Sequence, residues 1–547
     1  MYIIKQNKKK EWILIKKGAK RATRIFQTKL EAEMYAKAKC PDDYEVEEEE
    51  KPTNSTPKAQ KKIESNEKTY KKKNKKSKVI FTIFFILLLV IIAFLAYLYF
   101  NGYLDKIINS NNPDVNDKEN NGNNDSNGNS NPTGGNTNPG SSTDTSEGVI
   151  YDDFQIHFME LGNDAAGDSI YIKAGDTDIL IDAGSTASSA TTLINYINKY
   201  CTDGKLEYVI ATHGHTDHIA AFAGNSDNNA KNYKGDGVDR TGILYYYDVG
   251  TFIDFNYTNA TKKGASKEET FENKNQKSND FSPNTLYGKY LAAREYAINQ
   301  GTVHYTANEC FNNINGAKST YELAPGITMD ILYNYYYSNT SNDLNTSNDL
   351  NNYSVCTMFN YNDHHFMFTG DLESKGEQEL ADYYNSSTKD RTLPHVDLFK
   401  AGHHGSLTSS NDSLLKKITP DICCVCCCAG TAEYTPAVDN QFPSQEFINR
   451  IAKYTDKVYV TSTIKYNEET KKWENTSMNG NITVSCDGNN IGVKASNNLI
   501  KLKDTDWFNE IIYVKNGNNV DKKKSTDFYT KETEGVTPRP RRTWPNT

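Results

Sequence analysis

The chain has only one long hydrophobic run, and the lack of any other excludes a channel built from many membrane helices. Residues 79–100 contain no charged residue in a chain of 547 residues. A run of this length can cross a hydrocarbon core of about 30 Å. It begins too far from the N-terminus for a cleaved signal peptide, and it lacks the polar face of a buried core helix. The sequence therefore predicts a single transmembrane helix at residues 79–100.

The charges that flank this run predict its orientation. Six lysines lie between Lys71 and Lys78, whereas the other flank begins Asn101-Gly102-Tyr103. Because positive flanks stay on the cytoplasmic side, we expect a cytoplasmic N-terminus and an external C-terminal part. Residues 1–78 carry 23 Lys and Arg against 12 Asp and Glu, a net +11, which leaves −19 for the rest of a chain with net charge −8. This acidity predicts no strong non-specific binding of nucleic acid.

Cysteine is sparse outside one short stretch. Five of the 10 cysteines lie between Cys423 and Cys428. A thiolate metal site or a set of disulfides is one interpretation. Neighbouring residues on a strand point to opposite faces, however, and a free cysteine behaves as a small hydrophobic residue. The pattern therefore favours a buried strand.

Composition divides the chain into six parts. Residues 1–44 contain two short apolar runs, then Phe26 and a helical pattern over Lys29–Lys39, typical of a small cytoplasmic α+β domain. Residues 45–78 form a charged linker before the predicted transmembrane helix at 79–100, and residues 101–148 are an Asn-, Gly- and Ser-rich disordered stalk. Strand and helix patterns alternate over 149–500, which predicts a layered α/β domain, with a polar surface insertion at 224–284. Residues 501–547 have the composition of a polar tail.

Histidine is also scarce, with 10 residues in the chain, yet three occur in one hexad. His213, His215 and His218 belong to an H-x-H-x-D-H motif that includes Asp217. The motif directly follows the apolar run Tyr208–Ala211, which is typical of a buried strand. Imidazole and carboxylate groups are the ligands that zinc prefers. The hexad therefore predicts a metal site at a strand end.

Three more strand patterns end in groups of the same kind. Asp182 follows Asp178–Ile181, Asp371 follows His365–Thr369, and the pair His403-His404 follows Val396–Phe399. Four predicted strands along the chain are therefore each followed closely by aspartate or histidine side chains.

With these motifs in order, the sequence resembles the metallo-β-lactamase superfamily, and within it the extracellular domain of competence DNA-uptake channel proteins. The resemblance spans about Phe154 to Asn497. It depends on an L-G-x(4)-G-D-S opening with Asp168 and Ser169, I-D-A-G, H-x-H-x-D-H, N-x-S-V at Asn352, F-T-G-D and G-H-H-G-S ending at Ser406. The fold that it implies is an αββα sandwich. The N-terminal part resembles a small bacterial family of domains of unknown function, through Trp12, Thr28, Lys29, Glu31, Ala32 and Ala36.

The resemblance also implies roles for individual residues. His213, His215 and Asp371 would hold one divalent cation, and Asp217, His218, Asp371 and one of His403 and His404 would hold a second. We take His403 as the ligand, His404 as the group that contacts the leaving group, and Asp217 as catalytic as well as ligating. Residues that would support the ligands or line the pocket are Asp182, Asp168, Ser169, Asn352 and Ser406. The cations would be zinc, with manganese as the alternative, and would share a hydroxide that attacks phosphorus.

The sequence departs from the family pattern in two places. The further histidine usual on the first metal has no clear counterpart, since only His304, His364 and His365 lie in the interval. Phe442-Pro443 stands where the competence branch often has His-Pro. These departures affect the expected turnover rate and the identity of the bound metal, and they do not affect the expected fold.

The function that the resemblance implies is that of a hydrolase anchored in the bacterial cell membrane. Its substrate would be a phosphodiester, in nucleic acid or in a wall polymer, cleaved outside the cell. A surface phosphorylcholine esterase is the alternative enzyme, although choline-binding repeats are absent. A non-catalytic binding or sensing domain on the same fold also stays open.

Overall fold

The structure, a computed structural model, describes residues 145–225, 241–338, 350–385, 392–432, 438–467, 469–470, 472–515, 518–519 and 536–545, together with four strands between residues 2 and 46. The chain divides into two compact units, Met1–Gly135 and Asn136–Thr547. The predicted transmembrane helix at 79–100, and most of the predicted linker and stalk, lie outside the described residues. Among the residues with a described position, no helix is both long and apolar enough to cross a bilayer.

The first unit contains a four-stranded sheet in the order β3-β2-β1-β4. Strand β1 (Tyr2–Gln6) pairs antiparallel with β2 (Trp12–Lys16), which pairs with β3 (Arg24–Phe26). Strand β4 (Tyr44–Val46) pairs parallel with β1, and the sequence did not predict it. The predicted helix over Lys29–Lys39 lies outside the described residues.

The second unit is built on two large sheets. The first sheet has nine strands in the order β13-β10-β9-β8-β7-β6-β22-β23-β5, and the second has eight in the order β14 to β21. The strands of the first sheet are β5 (Thr145–Glu147), β6 (Phe154–Phe158), β7 (Ile170–Ala174), β8 (Thr177–Ile181), β9 (Lys205–Ile210), β10 (Asp248–Asp254), β13 (Val303–Thr306), β22 (Ile482–Cys486) and β23 (Ile491–Ala495). Those of the second are β14 (Thr320–Ala324), β15 (Ile327–Ile331), β16 (Thr357–Tyr361), β17 (His364–Phe368), β18 (Leu398–Lys400), β19 (Ile422–Ala429), β20 (Val458–Asn467) and β21 (Lys472–Ser477). Strands β11 (Tyr257–Ala260) and β12 (Glu269–Glu272) form a separate hairpin.

Among the described residues, most helices cover the outer faces of the two sheets, whereas the helix Ala307–Asn312 packs into the cluster between them. The described helices are α1 (Ser189–Ile197), α2 (Thr216–Ala223), α3 (Ile243–Tyr246), α4 (Leu286–Asn299), α5 (Ala307–Asn312), α6 (Ser374–Asn385), α7 (Asp412–Ile418), α8 (Gln445–Ile451) and α9 (Asp506–Asn509). Helices α1 to α4 share one buried apolar cluster with the first sheet, and α6 to α9 share another with the second. A third cluster joins residues of both sheets, including Phe154, Ile156, Phe359 and Phe366. The predicted αββα sandwich is therefore confirmed.

The cysteine-rich stretch forms β19, and every residue of this strand is buried. The strand lies between β18 and β20 in the second sheet. All five thiols there are free, so the prediction of a buried strand is confirmed. Burial raises the pKa of the Cys423 thiol, which keeps it protonated at neutral pH.

Two stretches that look like loops in the sequence are structured. The expected insertion at 224–284 contains β10, which pairs parallel with β9 inside the first sheet. The expected tail after residue 500 contains the buried residues Trp507, Phe508 and Arg542. Arg542 donates hydrogen bonds to the carbonyl oxygens of Val438, Gln441 and Pro443. Strand β24 (Ile511–Lys515) pairs with β25 (Asn518–Asn519) and β26 (Val536–Pro540).

Candidate metal centre

The candidate site lies where four strands end. Strand β8 is parallel to β9 in the first sheet, and β17 is parallel to β18 in the second. The carboxyl ends of parallel neighbours meet at one edge of a sheet. Asp182 follows β8, the histidine hexad follows β9, Asp371 follows β17, and the pair His403-His404 follows β18. The two sheets therefore bring these side chains to one place.

Asp371 is the centre of this cluster. Its Oδ2 atom lies 3.0 Å from Nε2 of His218 and 3.4 Å from Nε2 of His404. The same oxygen lies 3.8 Å from Nε2 of His403 and 3.9 Å from Nε2 of His213. Asp371 is 1% exposed. One buried carboxylate oxygen thus faces four imidazoles.

Four of these residues form a group that suits a single divalent cation. One donor atom from each of Asp217, His218, Asp371 and His404 lies within 4.8 Å of the other three. Nε2 of His404 lies 3.3 Å from Oδ2 of Asp217. A tetrahedral ion with bonds of about 2.1 Å separates its ligands by about 3.4 Å, which agrees with these spacings. Nε2 of His404 is buried and makes no hydrogen bond with any described residue, as expected of an atom that serves as a ligand.

A second pair of imidazoles lies beside this group. Nε2 of His213 is 3.1 Å from Nδ1 of His215. Nδ1 of His213 contacts the Thr212 and Ser354 hydroxyl oxygens at 3.1 and 3.4 Å. The hydroxyl contacts hold Nε2 of His213 toward Asp371. His213 thus lies between His215, at 3.1 Å, and Asp371, at 3.9 Å.

None of the histidines considered as a further metal ligand lies in the cluster. His304 contacts Asp254 through Nε2 at 2.9 Å, and His364 contacts Asp397 through Nδ1 at 2.9 Å. His365 contacts Asn360 through Nδ1 at 2.8 Å. None of these three histidines therefore adds a donor beside His213 and His215.

The two histidines after β18 differ in their surroundings. His404 is 0% exposed, and its Nδ1 contacts the carbonyl oxygen of Cys426 at 2.8 Å. This contact directs Nε2 of His404 toward Asp217 and Asp371. His403 is 8% exposed, and its Nδ1 lies 3.2 Å from the hydroxyl of Thr408. The geometry favours His404 over His403 as the ligand.

Three residues of the cluster have a left-handed backbone conformation, which determines where their side chains point. Asp182 has φ of 59°, and His403 and His404 have φ of 47° and 53°. Such a conformation costs about 1–2 kcal/mol in a residue other than glycine. Backbone strain that is concentrated in the polar residues of one cluster is typical of a functional site.

Asp182 links the hexad to the preceding strand. Its two oxygens accept hydrogen bonds from the backbone N–H and the hydroxyl of Thr212, each at 2.7 Å. Nδ1 of His218 contacts Oδ2 of Asp182 at 2.7 Å. The contact fixes the ring of His218 so that Nε2 faces Asp371. Asp182 thus contacts His218, one of the predicted ligands that it is expected from the sequence to support.

The other predicted supporting residues lie at different distances from the cluster. Ser169 is buried and donates to the carbonyl oxygen of Asp182 at 2.9 Å. Asn352 accepts from the backbone N–H of Glu373 and so braces the chain after Asp371. Ser406 contacts the hydroxyl of Thr408 at 3.0 Å. Asp168 contacts Nδ1 of His404 at 3.2 Å.

Two motif glycines are needed because the backbone of Asp217 lies against them. A Cβ atom at Gly184 would lie 1.5 Å from the carbonyl oxygen of Asp217, and one at Gly167 would lie 2.9 Å from it. Neither position has room for a side chain. The glycines of I-D-A-G and L-G-x(4)-G-D-S thus position the hexad.

Sequence reasoning missed three residues of the site. Lys400 is buried beside Asp168, Thr212 binds Asp182, and the hydroxyl of Ser354 accepts from the backbone N–H of Asp371 at 3.0 Å. Lys400 could have been identified from the sequence, because it is a lysine at the end of an otherwise apolar strand. Thr212 and Ser354 left none beyond their place in the motifs.

Without a cation the cluster retains protons. Burial lowers the pKa of His404, but the carboxylates of Asp371 and Asp168 outweigh it and raise that pKa to about 10. Burial also lowers the pKa of His218, and Asp371 and Asp182 raise it well above its ordinary value. Both imidazoles are therefore protonated at neutral pH, whereas a ligand imidazole must be neutral.

We expect cation binding at pH 7 to release up to two protons, from His218 and His404. The affinity should then rise with pH, by up to about tenfold per pH unit for each proton released. Calorimetric titration of Mn²⁺ in two buffers with different ionisation enthalpies measures the number released. A binding enthalpy that is the same in both buffers would contradict this prediction.

One family model and one curated relative match parts of this chain. Residues 162–224, which include the hexad, match the model of the metallo-beta-lactamase superfamily. Recombination protein 2 of Haemophilus influenzae is 25% identical over 146 residues. That match covers 27% of this chain and 14% of the relative, so the chain corresponds to a small part of that protein.

The chain is also similar to two solved structures. The metallo-beta-lactamase fold protein YhfI from Bacillus subtilis is 11% identical, with a TM-score of 0.29, over 56% of this chain and 96% of its own. Igni18, a metallo hydrolase from Ignicoccus hospitalis, is 14% identical, with a TM-score of 0.27, over 56% of this chain and 95% of its own.

Proposed function

We propose that this chain, in which residues 162–224 match the metallo-beta-lactamase superfamily model, is a metal-dependent phosphodiesterase anchored in a bacterial cell membrane. The observation that carries the proposal is the convergence of Asp217, His218, Asp371 and His404 on a volume that suits one divalent cation. His213 and His215 lie beside this group and supply donors for a second cation. Zinc is the proposed metal and manganese the alternative, since the donors are imidazole nitrogen and carboxylate oxygen.

The residues divide into buried ligands and more exposed groups. His213, His218 and His404 are fully buried, whereas the Asp217 side chain is 34% exposed. His215 is also partly exposed. A substrate would therefore approach from the side of Asp217 and His215.

Bound divalent cations would supply Lewis-acid chemistry, because they polarise phosphoryl oxygens and activate water. His404 takes the ligand role that the sequence assigned to His403, since its Nε2 faces both Asp217 and Asp371. His403 then takes the role of contacting the leaving group, because it lies at the edge of the cluster and keeps some exposure. Asp182 holds His218 in the orientation that a ligand needs.

A phosphodiester is the proposed substrate class. Two cations a few ångströms apart can bind the attacking and the leaving oxygen of a displacement at phosphorus. The similarity to Recombination protein 2 supports a nucleic-acid substrate. The net charge of −19 outside residues 1–78 disfavours long duplexes, so we propose short or single-stranded substrates.

Membrane anchoring is part of the proposal and rests on the uncharged run at residues 79–100 and the lysines before it. In this arrangement the N-terminal sheet is cytoplasmic and the metal centre is outside the cell. Protease digestion of intact cells tests the orientation, because only the C-terminal unit should be degraded.

We expect the purified full-length chain in detergent to release p-nitrophenol from bis-p-nitrophenyl phosphate when Mn²⁺ or Zn²⁺ is present. Removal of the metal by a chelator should lower turnover by at least about 10²-fold, and added metal should restore it. Faster turnover of p-nitrophenylphosphorylcholine would favour the phosphorylcholine esterase instead. Cation binding without turnover of either compound would favour a non-catalytic binding domain.

A further inference from the structure

Lys400 is a buried cation inside the candidate metal centre. It ends β18 and is 1% exposed. Its ammonium group contacts the carboxylate of Asp168 and donates to the carbonyl oxygen of Gly370 at 3.0 Å. It also lies 3.6 Å from Oδ1 of Asp371. Burial of an ammonium group costs free energy through loss of hydration. The contacts of Lys400 with Asp168 and Asp371 therefore need a physical explanation.

The two oxygens of Asp371 face different partners. Oδ1 faces Lys400, whereas Oδ2 faces the imidazoles of His218, His404 and, at longer distance, His213. Lys400 is the one lysine or arginine beside Asp371 in the described part of the chain, and it lies on the side of the carboxylate away from the imidazoles. Lys400 therefore attracts one oxygen of Asp371 and leaves the other to face the candidate cation positions.

Asp168 connects this lysine to the other ligands. One of its oxygens contacts Lys400, and the other lies 3.2 Å from Nδ1 of His404. Its backbone N–H donates to the carbonyl oxygen of Asp217 at 3.1 Å. The Lys400–Asp168 pair thus contacts Asp371, His404 and the backbone of Asp217 together.

We propose that Lys400 and Asp168 are positioning residues that make Asp371 bridge two cations through the single oxygen Oδ2. Asp168 also lies against Nδ1 of His404, beside the contact of that atom with the carbonyl oxygen of Cys426, so one buried ion pair contributes to the orientation of both residues. This proposal rests on the proposed function only in requiring that the site binds divalent cations. Its consequence is that the two cations are bound close together.

The test is Mn²⁺ binding by the full-length chain and by the Lys400→Met variant. Electron paramagnetic resonance reports whether two Mn²⁺ ions are coupled through a bridge, and calorimetry gives their number and affinity. We expect a coupled pair in the native chain. In Lys400→Met we expect loss of the coupling and about 10- to 100-fold weaker binding, the range typical for residues that orient ligands.

Matched variants separate positioning from folding. Lys400→Arg keeps the charge and should retain part of the coupling. The double variant Asp168→Asn/Lys400→Met removes both buried charges, so it should unfold as cooperatively as the native chain yet lack the coupling. The proposal is overturned if either methionine variant retains the coupling between Mn²⁺ ions and the native Mn²⁺ affinity. It is also overturned if both variants fail to fold, because Lys400 and Asp168 would then be a purely structural ion pair. A native chain that binds no cation would instead overturn the proposed function.

Discussion

Asp217→Ala is expected to lower turnover of bis-p-nitrophenyl phosphate by about 10³-fold or more while the protein remains folded. Oδ2 of Asp217 lies 3.3 Å from Nε2 of His404, inside the group of four donors, and loss of this carboxylate leaves three. The side chain is 34% exposed, so its removal creates no large cavity. Asp217 lies in the first turn of α2, where a carboxylate stabilises the helix by only about 0.3–1 kcal/mol.

Three measurements on the Asp217→Ala variant separate these effects. Initial rates with saturating Mn²⁺ give the loss of turnover, metal analysis after gel filtration gives the loss of cation, and thermal unfolding gives the stability. Asp176→Ala is the matched control, because Asp176 is an exposed aspartate in the turn between β7 and β8. A variant that keeps more than about a tenth of native turnover would show that Asp217 is not a ligand of the reacting cation.

Much of the site could be predicted because metal ligands follow strands in a recognisable pattern. The apolar run before the hexad predicts that its histidines leave the sheet at one edge, and Asp371 and Asp182 follow the same rule. The sequence assignment of His403 as the ligand had no geometric basis, because the choice between His403 and His404 depends on three consecutive left-handed residues ending at Gly405. Lys400 was missed because a lysine at a strand end is usually solvated, whereas this one has a carboxylate partner, Asp168, in the distant loop before β7.

Some parts of the fold could be predicted from the sequence, whereas others could not. Alternating strand and helix patterns predicted the layers, and the buried cysteine strand followed from the character of its side chains. Strand β10 was missed because it lies within polar sequence and contains Asp248, Gly250 and Asp254. The segment after residue 500 was taken as a tail because its contacts are made by arginines, and Arg541 and Arg542 bury their guanidinium groups against carbonyl oxygens and carboxylates.

The end of β10 contains a second buried polar cluster, which explains why His304 is not a metal ligand. Asp254 is fully buried and accepts from Arg294 at 2.9 Å, from the Tyr290 hydroxyl at 2.9 Å and from Asn273 at 2.7 Å. Its other oxygen lies 2.9 Å from Nε2 of His304. Burial raises the pKa of Asp254, but His304 and Arg294 outweigh it and lower that pKa to about 2. The pKa in the folded state is below the unfolded value of about 3.9, so the stabilisation is complete above that pH and is lost as the pH falls to about 2.

Asp254→Ala should therefore lower the free energy of unfolding at pH 7 by about 3–5 kcal/mol, because it leaves the guanidinium of Arg294 buried without its carboxylate. Urea denaturation followed by circular dichroism measures this loss. Asp248→Ala, an exposed aspartate at the start of the same strand, is the control and should change stability by less than about 0.5 kcal/mol. The double variant Asp254→Leu/Arg294→Met removes both charges and should recover most of the loss, since apolar replacements of a buried ion pair are often neutral. If Asp254→Ala costs less than about 1 kcal/mol, water or a rearranged Arg294 satisfies the charge, and the cluster does not stabilise this edge of the first sheet.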